Sequence, residues 1–232
     1  GAQDQSIKAT FETKDGVKII GSLYLPKSMN GKANAILLLH QLGKDRASWA
    51  PLIPYLLKEK YVVLSIDLRG HGESTLFGET ERSYTSFSND DFKAMINDVR
   101  EAVKFLKSHS KVRGDRIAII GASIGANLAF EYAAEDRDVR TVVLLSPGTN
   151  YRGLELLPYV SAYDKRALFI VSSDSDAYSA ESSNLLKTEA KQANPVKLKI
   201  YPGHAHGTDI LLAEKGLASI IVAWLQNHLP NG

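Results

Sequence analysis

Short continuous apolar runs alternate along the chain with segments whose apolar residues recur every three or four positions. An unbroken apolar run of strand length is typical of a strand buried on both faces of a parallel sheet, and the longer period is typical of an amphipathic helix. The predicted strands beyond residue 30 are 35–40, 61–66, 116–120, 141–145, 167–172 and 196–201. The predicted helices are 48–60, 91–108, 124–135, 180–192 and 209–227.

The first 25 residues follow a different pattern. Two β-prone runs, 7–13 and 17–25, flank Asp15-Gly16, a dipeptide that favours the tight turn of an antiparallel hairpin. We expect this hairpin at one edge of a mainly parallel sheet, because the rest of the chain alternates strands with helices. No linker divides the chain, so the sequence predicts a single α/β domain over residues 1–232.

Composition and charge exclude several classes of protein. The 232 residues are 44% hydrophobic and 23% charged, which is ordinary for a globular protein. The 28 basic and 26 acidic residues give a net charge of +2, which does not predict a nucleic-acid or anionic-membrane partner. Cysteine is absent, which excludes disulfides, thiolate metal sites and a cysteine nucleophile. The apolar runs are too short to span a bilayer, so we expect no transmembrane segment.

The start of the chain bears on the cellular compartment. The chain begins with Gly1 and a polar stretch, as it would after removal of an export signal or at a cloning scar. We expect an exported protein, periplasmic or secreted, with the cytoplasm as the alternative. The composition does not predict an oligomeric state.

A nucleophile motif follows the predicted strand 116–120. The segment Gly121-Ala122-Ser123-Ile124-Gly125 has the G-x-S-x-G spacing and leads directly into a predicted helix. In this strand–turn–helix context the turn is so tight that only glycine fits two residues before and after the serine. The sequence therefore predicts Ser123 as a nucleophile, with the backbone N–H of Ile124 free to bind an oxyanion.

A serine nucleophile needs an imidazole base that a carboxylate orients, in the chain order serine, acid, histidine. His206 lies in the loop between the last strand and the last helix and is the predicted base, with His204 as the alternative. Asp176, four residues beyond strand 167–172, is the predicted acid. Asp174 is interpreted as a turn-former, because an aspartate there can bond the local backbone.

The loop after strand 35–40 is expected to supply the second oxyanion donor. We predict the backbone N–H of Leu42 for this role, with the Gln41 side chain either adding a hydrogen bond or bracing the loop. His40 is interpreted as a structural residue. Asp67 and His71 are interpreted as braces beneath the site, with a part in proton transfer as the alternative.

No cluster of metal-ligand spacing and no nucleotide-binding fingerprint appears, so the sequence predicts a cofactor-independent enzyme. With these motifs in this order, the chain resembles the α/β-hydrolase family over nearly its whole length. The resemblance implies an eight-stranded sheet whose second strand is antiparallel and hydrolysis through an acyl-enzyme. The segments that carry it are 13–26, His40-Gln41-Leu42-Gly43, 67–74, the Ser123 elbow, the Asp176 turn and His206-Gly207.

Within that family the chain looks like the small serine esterases and the dienelactone-hydrolase-like or peptidase-like members. It departs from true dienelactone hydrolases, which use cysteine as nucleophile, and from dehalogenases and epoxide hydrolases, which use aspartate at the position of Ser123. Gln41 also stands where the family often has glycine. Only about 20 residues connect the strands 141–145 and 167–172, which leaves room for a short helix near 154–160 but not for a cap domain. The substrate-binding wall that we expect there consists of Tyr151, Leu154, Leu157 and Tyr159, and residues 76–89 are expected as another wall.

These features predict a serine hydrolase that cleaves a small-molecule carboxylic ester or another acyl substrate. A peptidase or acyltransferase with the same triad is the first alternative, because pocket shape selects the leaving group and acceptor. A non-catalytic binding module of the same fold is the second. The natural substrate and its chain length are not encoded in the motifs.

Overall fold

The computed structural model describes residues 6–231, and eight strands within them form one sheet. The strands are β1 (Ser6–Glu12), β2 (Lys18–Tyr24), β3 (Ala33–Leu39), β4 (Val62–Ile66), β5 (Val112–Ala122), β6 (Val139–Leu145), β7 (Ala167–Ser173) and β8 (Val196–Tyr201). Their spatial order is β1-β2-β4-β3-β5-β6-β7-β8. Strand β2 runs antiparallel to β1 and β4, and all other neighbours are parallel. The predicted fold class, including the antiparallel second strand, is confirmed.

Helices cover both faces of this sheet. They are α1 (Ile53–Lys58), α2 (Asn89–Lys93), α3 (Ile96–Ser108), α4 (Ile124–Glu135), α5 (Val160–Tyr163), α6 (Ala177–Glu189), α7 (Asp209–Ala213) and α8 (Leu217–His228). All seven residues of β3 are buried, and they alternate between two apolar cores. Leu37 and Leu39 face the core beneath α3 and α4, whereas Ile36 and Leu38 face the core beneath α1 and α8. A continuous apolar run in the sequence therefore reflects burial on both faces.

Three predicted helices were wrong in extent, because each is interrupted. Residues 48–60 form a 3₁₀ helix, Arg46–Trp49, and then α1, whose first turn contains Pro54, a residue tolerated only at a helix start. Residues 91–108 divide between α2 and α3 at a turn with tighter hydrogen bonds between residues three apart. Residues 209–227 divide between α7 and α8, because the backbone of Glu214 is extended.

The short helix predicted near 154–160 exists but is wrong in extent, because helical structure begins only at Leu157. Asn150–Tyr151 and Leu154–Glu155 pair instead as a small antiparallel hairpin, which we call the wall hairpin (residues 150–155). A 3₁₀ turn, Leu157–Tyr159, and α5 follow it. The hairpin was not predicted, because a turn of only two residues leaves little trace in the hydrophobic pattern.

The parallel strands end at one edge of the sheet, where ligands bind in open α/β folds. Ser123 follows β5, Asp176 follows β7 and precedes α6, and His206 follows β8. Three segments distant in sequence therefore meet at the same edge. Within residues 6–231, no helix combines the length and the apolar character that crossing a membrane requires.

Candidate active site

Ser123 sits in a strained turn between β5 and α4. Its φ of 56° and ψ of −116° lie outside the regions that non-glycine residues commonly adopt. A Cβ at Gly121 would stand 2.1 Å from the carbonyl oxygen of Gly125, and a Cβ at Gly125 would stand 2.2 Å from that of Leu39. Both glycines are therefore required by backbone contacts, as the spacing of the motif predicts.

The structure brings the side chains of Ser123, His206 and Asp176 together. His206 Nε2 lies 2.8 Å from Ser123 Oγ, and His206 Nδ1 is hydrogen-bonded to Asp176 Oδ2. Since the carboxylate accepts the proton on Nδ1, the unprotonated Nε2 faces the serine hydroxyl, which donates to it. This is the geometry in which an imidazole can remove the proton of an attacking serine.

The alternative residues lie elsewhere. His204, the alternative base, is exposed on the loop. Asp174 Oδ1 accepts a hydrogen bond of 2.9 Å from the backbone N–H of Gly203. Asp174 therefore forms a turn, as interpreted from the sequence, and Asp176 is the carboxylate that meets the imidazole.

The loop that carries His206 is fixed on two sides. The N–H of Gly207 donates to Ser146 Oγ at 2.7 Å, and Thr208 Oγ1 donates to Gln41 Oε1 at 3.0 Å. Gly207 has a φ of 61°, and a Cβ there would stand 2.8 Å from Gln41 Cδ. The side-chain oxygen of Gln41 therefore braces this loop, which is one of the two roles considered for Gln41.

Residues 40–43, which we call the oxyanion loop after the role predicted for it, contribute Gln41 and Leu42 to the cavity that the wall hairpin also lines. Neither the N–H of Leu42 nor that of Ile124 has a hydrogen-bond acceptor within residues 6–231, and both residues line the cavity at Ser123. Two unpaired donors beside a nucleophile are what a developing oxyanion requires. Gln41 lines the same cavity.

A buried histidine holds the oxyanion loop from below. His40 is 0% exposed, its Nδ1 donates to the carbonyl of Gln41 at 2.8 Å, and its Nε2 accepts the N–H of Leu68 at 2.9 Å. Burial, aided by the nearby His71, lowers the pKa of His40 to about 3. The ring therefore stays neutral and serves as a fixed connection between two loops.

A second neutral histidine holds the other end of the oxyanion loop. His71 Nε2 accepts the N–H of Gly43 at 2.9 Å, and its ring stacks on Tyr84 at 4.3 Å. Burial lowers the pKa of His71. Asp67 accepts hydrogen bonds from the backbone N–H groups of Arg46 and Glu73. Both Asp67 and His71 thus contact backbone rather than the triad, in agreement with their interpretation as braces.

The cavity at Ser123 has a volume of about 500 Å³. Its lining residues are Gln41, Leu42, Ser123, Ile124, Asn150, Tyr151, Arg152 and His206. Burial, followed by the charge of Asp176, raises the pKa of Tyr151 to about 12, so its phenol stays protonated and donates to the carbonyl of Ser146 at 3.2 Å.

Most of the predicted wall lies outside this cavity. Tyr151 lines it, but Leu154 is 1% exposed and packs into the main core. Leu157 and Tyr159, in the following 3₁₀ turn, and the segment 76–89 are not among the described residues that line it. Sequence reasoning missed Asn150 and Arg152, because their position depends on the hairpin turn. The Arg152-Gly153 dipeptide was the available signal, since glycine favours such turns.

No group of three or more His, Cys, Asp or Glu side chains within residues 6–231 is arranged to hold a metal ion. His206, which is hydrogen-bonded to Asp176, reaches Ser123, and the Tyr151 phenol lies beside them. The chemistry available from these groups is nucleophilic attack with general acid–base transfer.

A sequence profile of the α/β-hydrolase fold matches residues 34–186, and the chain belongs to the α/β-hydrolase family. An uncharacterized protein of Mycobacterium tuberculosis is 26% identical over 219 residues, which cover 87% of this chain and 72% of that protein. A soluble epoxide hydrolase of a Corynebacterium is 33% identical over 109 residues, 47% of this chain and 32% of that relative. The chain therefore matches only about a third of the epoxide hydrolase.

Solved structures share the whole fold. An esterase of Pyrococcus furiosus has a TM-score of 0.78 at 22% identity and covers 99% of this chain and 94% of its own. A dienelactone hydrolase of Anabaena variabilis has a TM-score of 0.72 at 20% identity, with coverage of 97% and 99%. At this level of identity the likeness shows the fold, and together with the family it supports a hydrolase.

Proposed function

We propose that this protein is a cofactor-independent serine hydrolase that cleaves carboxylic esters through an acyl-enzyme. The observation that carries the proposal is the continuous hydrogen-bonded series from Asp176 through His206 to Ser123, which opens into a cavity. The strained backbone of Ser123 adds support, because strain of this kind persists where function requires it.

In the proposed mechanism Ser123 Oγ attacks the carbonyl carbon while its proton passes to His206 Nε2. The resulting oxyanion accepts hydrogen bonds from the N–H groups of Leu42 and Ile124. Asp176 stabilises the imidazolium, which then gives the proton to the departing alcohol as the carbon–oxygen bond breaks. Water gives a proton to His206 as it attacks the acyl-enzyme, and the imidazolium returns that proton to Ser123 Oγ as the bond to the acyl group breaks and the acid departs.

The nucleophile separates this proposal from the activity named for one relative. Family members that open epoxides use aspartate at the position of Ser123, so the epoxide-hydrolase match is not transferred to this chain. The apolar contribution of Leu42 and Ile124 to the cavity suits the acyl or alkyl part of an ester.

The direct test is the hydrolysis of 4-nitrophenyl butyrate by the wild type and by Ser123→Ala. Removal of the nucleophile is expected to lower turnover by roughly four to six orders of magnitude. Ser108→Ala, on an exposed serine at the end of α3, is the matched control and should keep wild-type turnover. Undiminished activity in Ser123→Ala would contradict the proposal.

A fluorophosphonate probe distinguishes the enzyme from a binding module of the same fold. Folded wild-type protein should be labelled at Ser123, because the probe requires an activated serine. Comparison of 4-nitrophenyl butyrate with the corresponding 4-nitroanilide separates an esterase from a peptidase. We expect the enzyme to release nitrophenol from the ester faster than nitroaniline from the amide. Absence of labelling together with absence of turnover would favour the binding module.

A further inference from the structure

One charged side chain at the cavity has no role in the mechanism above. Among the described residues that line the cavity, Arg152 is the one with a permanent charge. It is exposed at the tip of the wall hairpin, and within residues 6–231 no carboxylate lies within ion-pair distance of its guanidinium. A cation at the cavity that no carboxylate neutralises is available to an anionic ligand.

The backbone at Arg152 is unfavourable for arginine. Arg152 and Gly153 have φ values of 55° and 92°, so both central residues of the two-residue turn are left-handed. Such turns prefer Asn-Gly or Gly-Gly, and a non-glycine residue at positive φ carries a conformational cost. An arginine at this position presents its side chain at the cavity in spite of that cost.

The wall hairpin is well anchored, which gives the guanidinium a defined origin. Asn127 Nδ2 donates to the carbonyls of Gly148 and Leu154 at 2.7 and 2.8 Å. The hydroxyl of Tyr178 donates to the carbonyl of Asn150 at 3.0 Å and accepts its N–H at 2.8 Å. These contacts join the hairpin to α4 and α6, the two helices that begin at Ser123 and Asp176.

The surroundings of Arg152 add positive charge. Its guanidinium carbon lies 5.4 Å from the ring centroid of Phe92, a residue that is 1% exposed. The neighbouring Lys93 is exposed and passes beside the hairpin, because a Cβ at Gly153 would stand 2.8 Å from Lys93 Cε. Within the described part of the chain, no carboxylate lies within ion-pair distance of Lys93. Lys93 therefore adds a second positive charge beside the hairpin, whereas the carboxylate of Asp176 is engaged by His206.

We propose that Arg152 binds a carboxylate of the substrate, so that the enzyme prefers esters carrying a second, anionic group over neutral esters of the same length. This inference rests on the proposed esterase function. A guanidinium suits a carboxylate because it donates two parallel hydrogen bonds. The carboxylate belongs either to the acyl part or to the leaving alcohol, and the test separates the two sources.

The experiment compares matched ester pairs. Mono-4-nitrophenyl adipate and 4-nitrophenyl hexanoate have acyl chains of equal length and differ in a terminal carboxylate. 4-Acetoxybenzoate and 4-acetoxybenzamide differ in charge on the leaving group. In at least one pair the wild type should have the higher kcat/KM for the anion, and this preference should shrink in about 0.5 M NaCl, because salt screens exposed charges.

Variants then assign the preference to Arg152. Arg152→Gln should lower the anion-to-neutral ratio of kcat/KM by about 10- to 100-fold, the range for a hydrogen bond to a charged group. Arg152→Lys should restore part of the ratio, and Arg152→Glu should invert it. Arg137→Gln is the matched control. Arg137 is 72% exposed beside Asp164 and precedes β6, at the opposite end of the sheet from the cavity. Its substitution should leave kcat/KM unchanged for both members of each ester pair.

The outcomes separate the two proposals. If the wild type cleaves neutral esters at least as well as the anionic ones in both pairs, or if Arg152→Gln slows both members of each pair equally, Arg152 is not a carboxylate site and the inference fails while the esterase stands. If no ester of either pair is cleaved and Ser123 is not labelled, the proposed function fails and the inference fails with it. A fall in the anion-to-neutral ratio that follows the charge at residue 152 supports both.

Discussion

The two sides of the cavity are built in different ways. The oxyanion loop is held from beneath by neutral, buried His40 and by His71, so its donors are fixed before a substrate arrives. The wall hairpin is anchored at its base, but its tip carries the exposed Arg152 in a strained turn. Under the two proposals above, the buried loop would organise the chemistry and the exposed hairpin tip would select the substrate.

The acid of the proposed triad gives the largest expected effect among the tests of this comparison. Asp176→Asn should lower kcat by about 10⁴-fold, because an amide can stabilise the tautomer with the proton on His206 Nε2, which cannot accept the proton of Ser123. Asp174→Asn is the matched control, since the Asp174 carboxylate accepts hydrogen bonds from the Gly203 N–H and the Ser175 hydroxyl and none from the triad. Steady-state kinetics on one ester check both variants, and equal losses would contradict the assignment of the acid.

The second-largest expected effect comes from the close backbone contacts of the glycines around Ser123. Gly125→Ala should destabilise the fold by about 3 kcal/mol and also displace Ser123, because the new Cβ would meet backbone oxygen rather than a flexible side chain. Gly216→Ala, at a glycine with φ of −80° where an added Cβ would meet no atom within 4 Å, should change the free energy of unfolding by less than about 0.5 kcal/mol. Urea unfolding measures both, and similar stabilities would refute the close approach.

The smallest expected effect is the change in the free energy of unfolding with pH. The pKa of His40 is about 6.5 when unfolded and about 3 when folded, so as pH falls below 6.5 the unfolded chain binds a proton that the folded protein does not. This contribution to stability is complete above pH 6.5 and is lost towards pH 3, by up to about 1.4 kcal/mol per pH unit. Unfolding of the wild type and His40→Gln between pH 7 and pH 5 should show the steeper loss in the wild type. Parallel profiles would contradict a neutral, buried His40.

The residues of the triad were accessible from the sequence because their constraints are local. Gly121 and Gly125 are dictated by backbone contacts within a few residues of Ser123, and Asp176 and His206 each follow a recognisable strand. The eight-stranded sheet and its antiparallel second strand could be predicted as well, because the resemblance to the family implies them. The contact between Asp176 and His206 could be predicted because the parallel strands that precede them end at the same edge of the sheet.

The rest depended on contacts that periodicity does not contain. Leu154 is apolar and was expected at the cavity, but its hairpin pairs it with Tyr151 and directs it into the core. Arg152 was missed because a two-residue turn leaves little trace in a hydrophobic pattern. The interruption of 209–227 depends on the extended backbone of one residue, Glu214, inside an otherwise regular apolar repeat.

The central claim is a covalent intermediate on Ser123, and mass spectrometry of the acid-quenched enzyme tests it most directly. After rapid mixing with excess 4-nitrophenyl butyrate, we expect a peptide containing Ser123 to gain the mass of one butyryl group, and the gain should be absent in Ser123→Ala. His206→Ala should acylate far more slowly, because no base accepts the proton of the serine. Burst release of nitrophenol from the wild type with the acyl group on a different residue, or the same acylation in Ser123→Ala, would contradict the account.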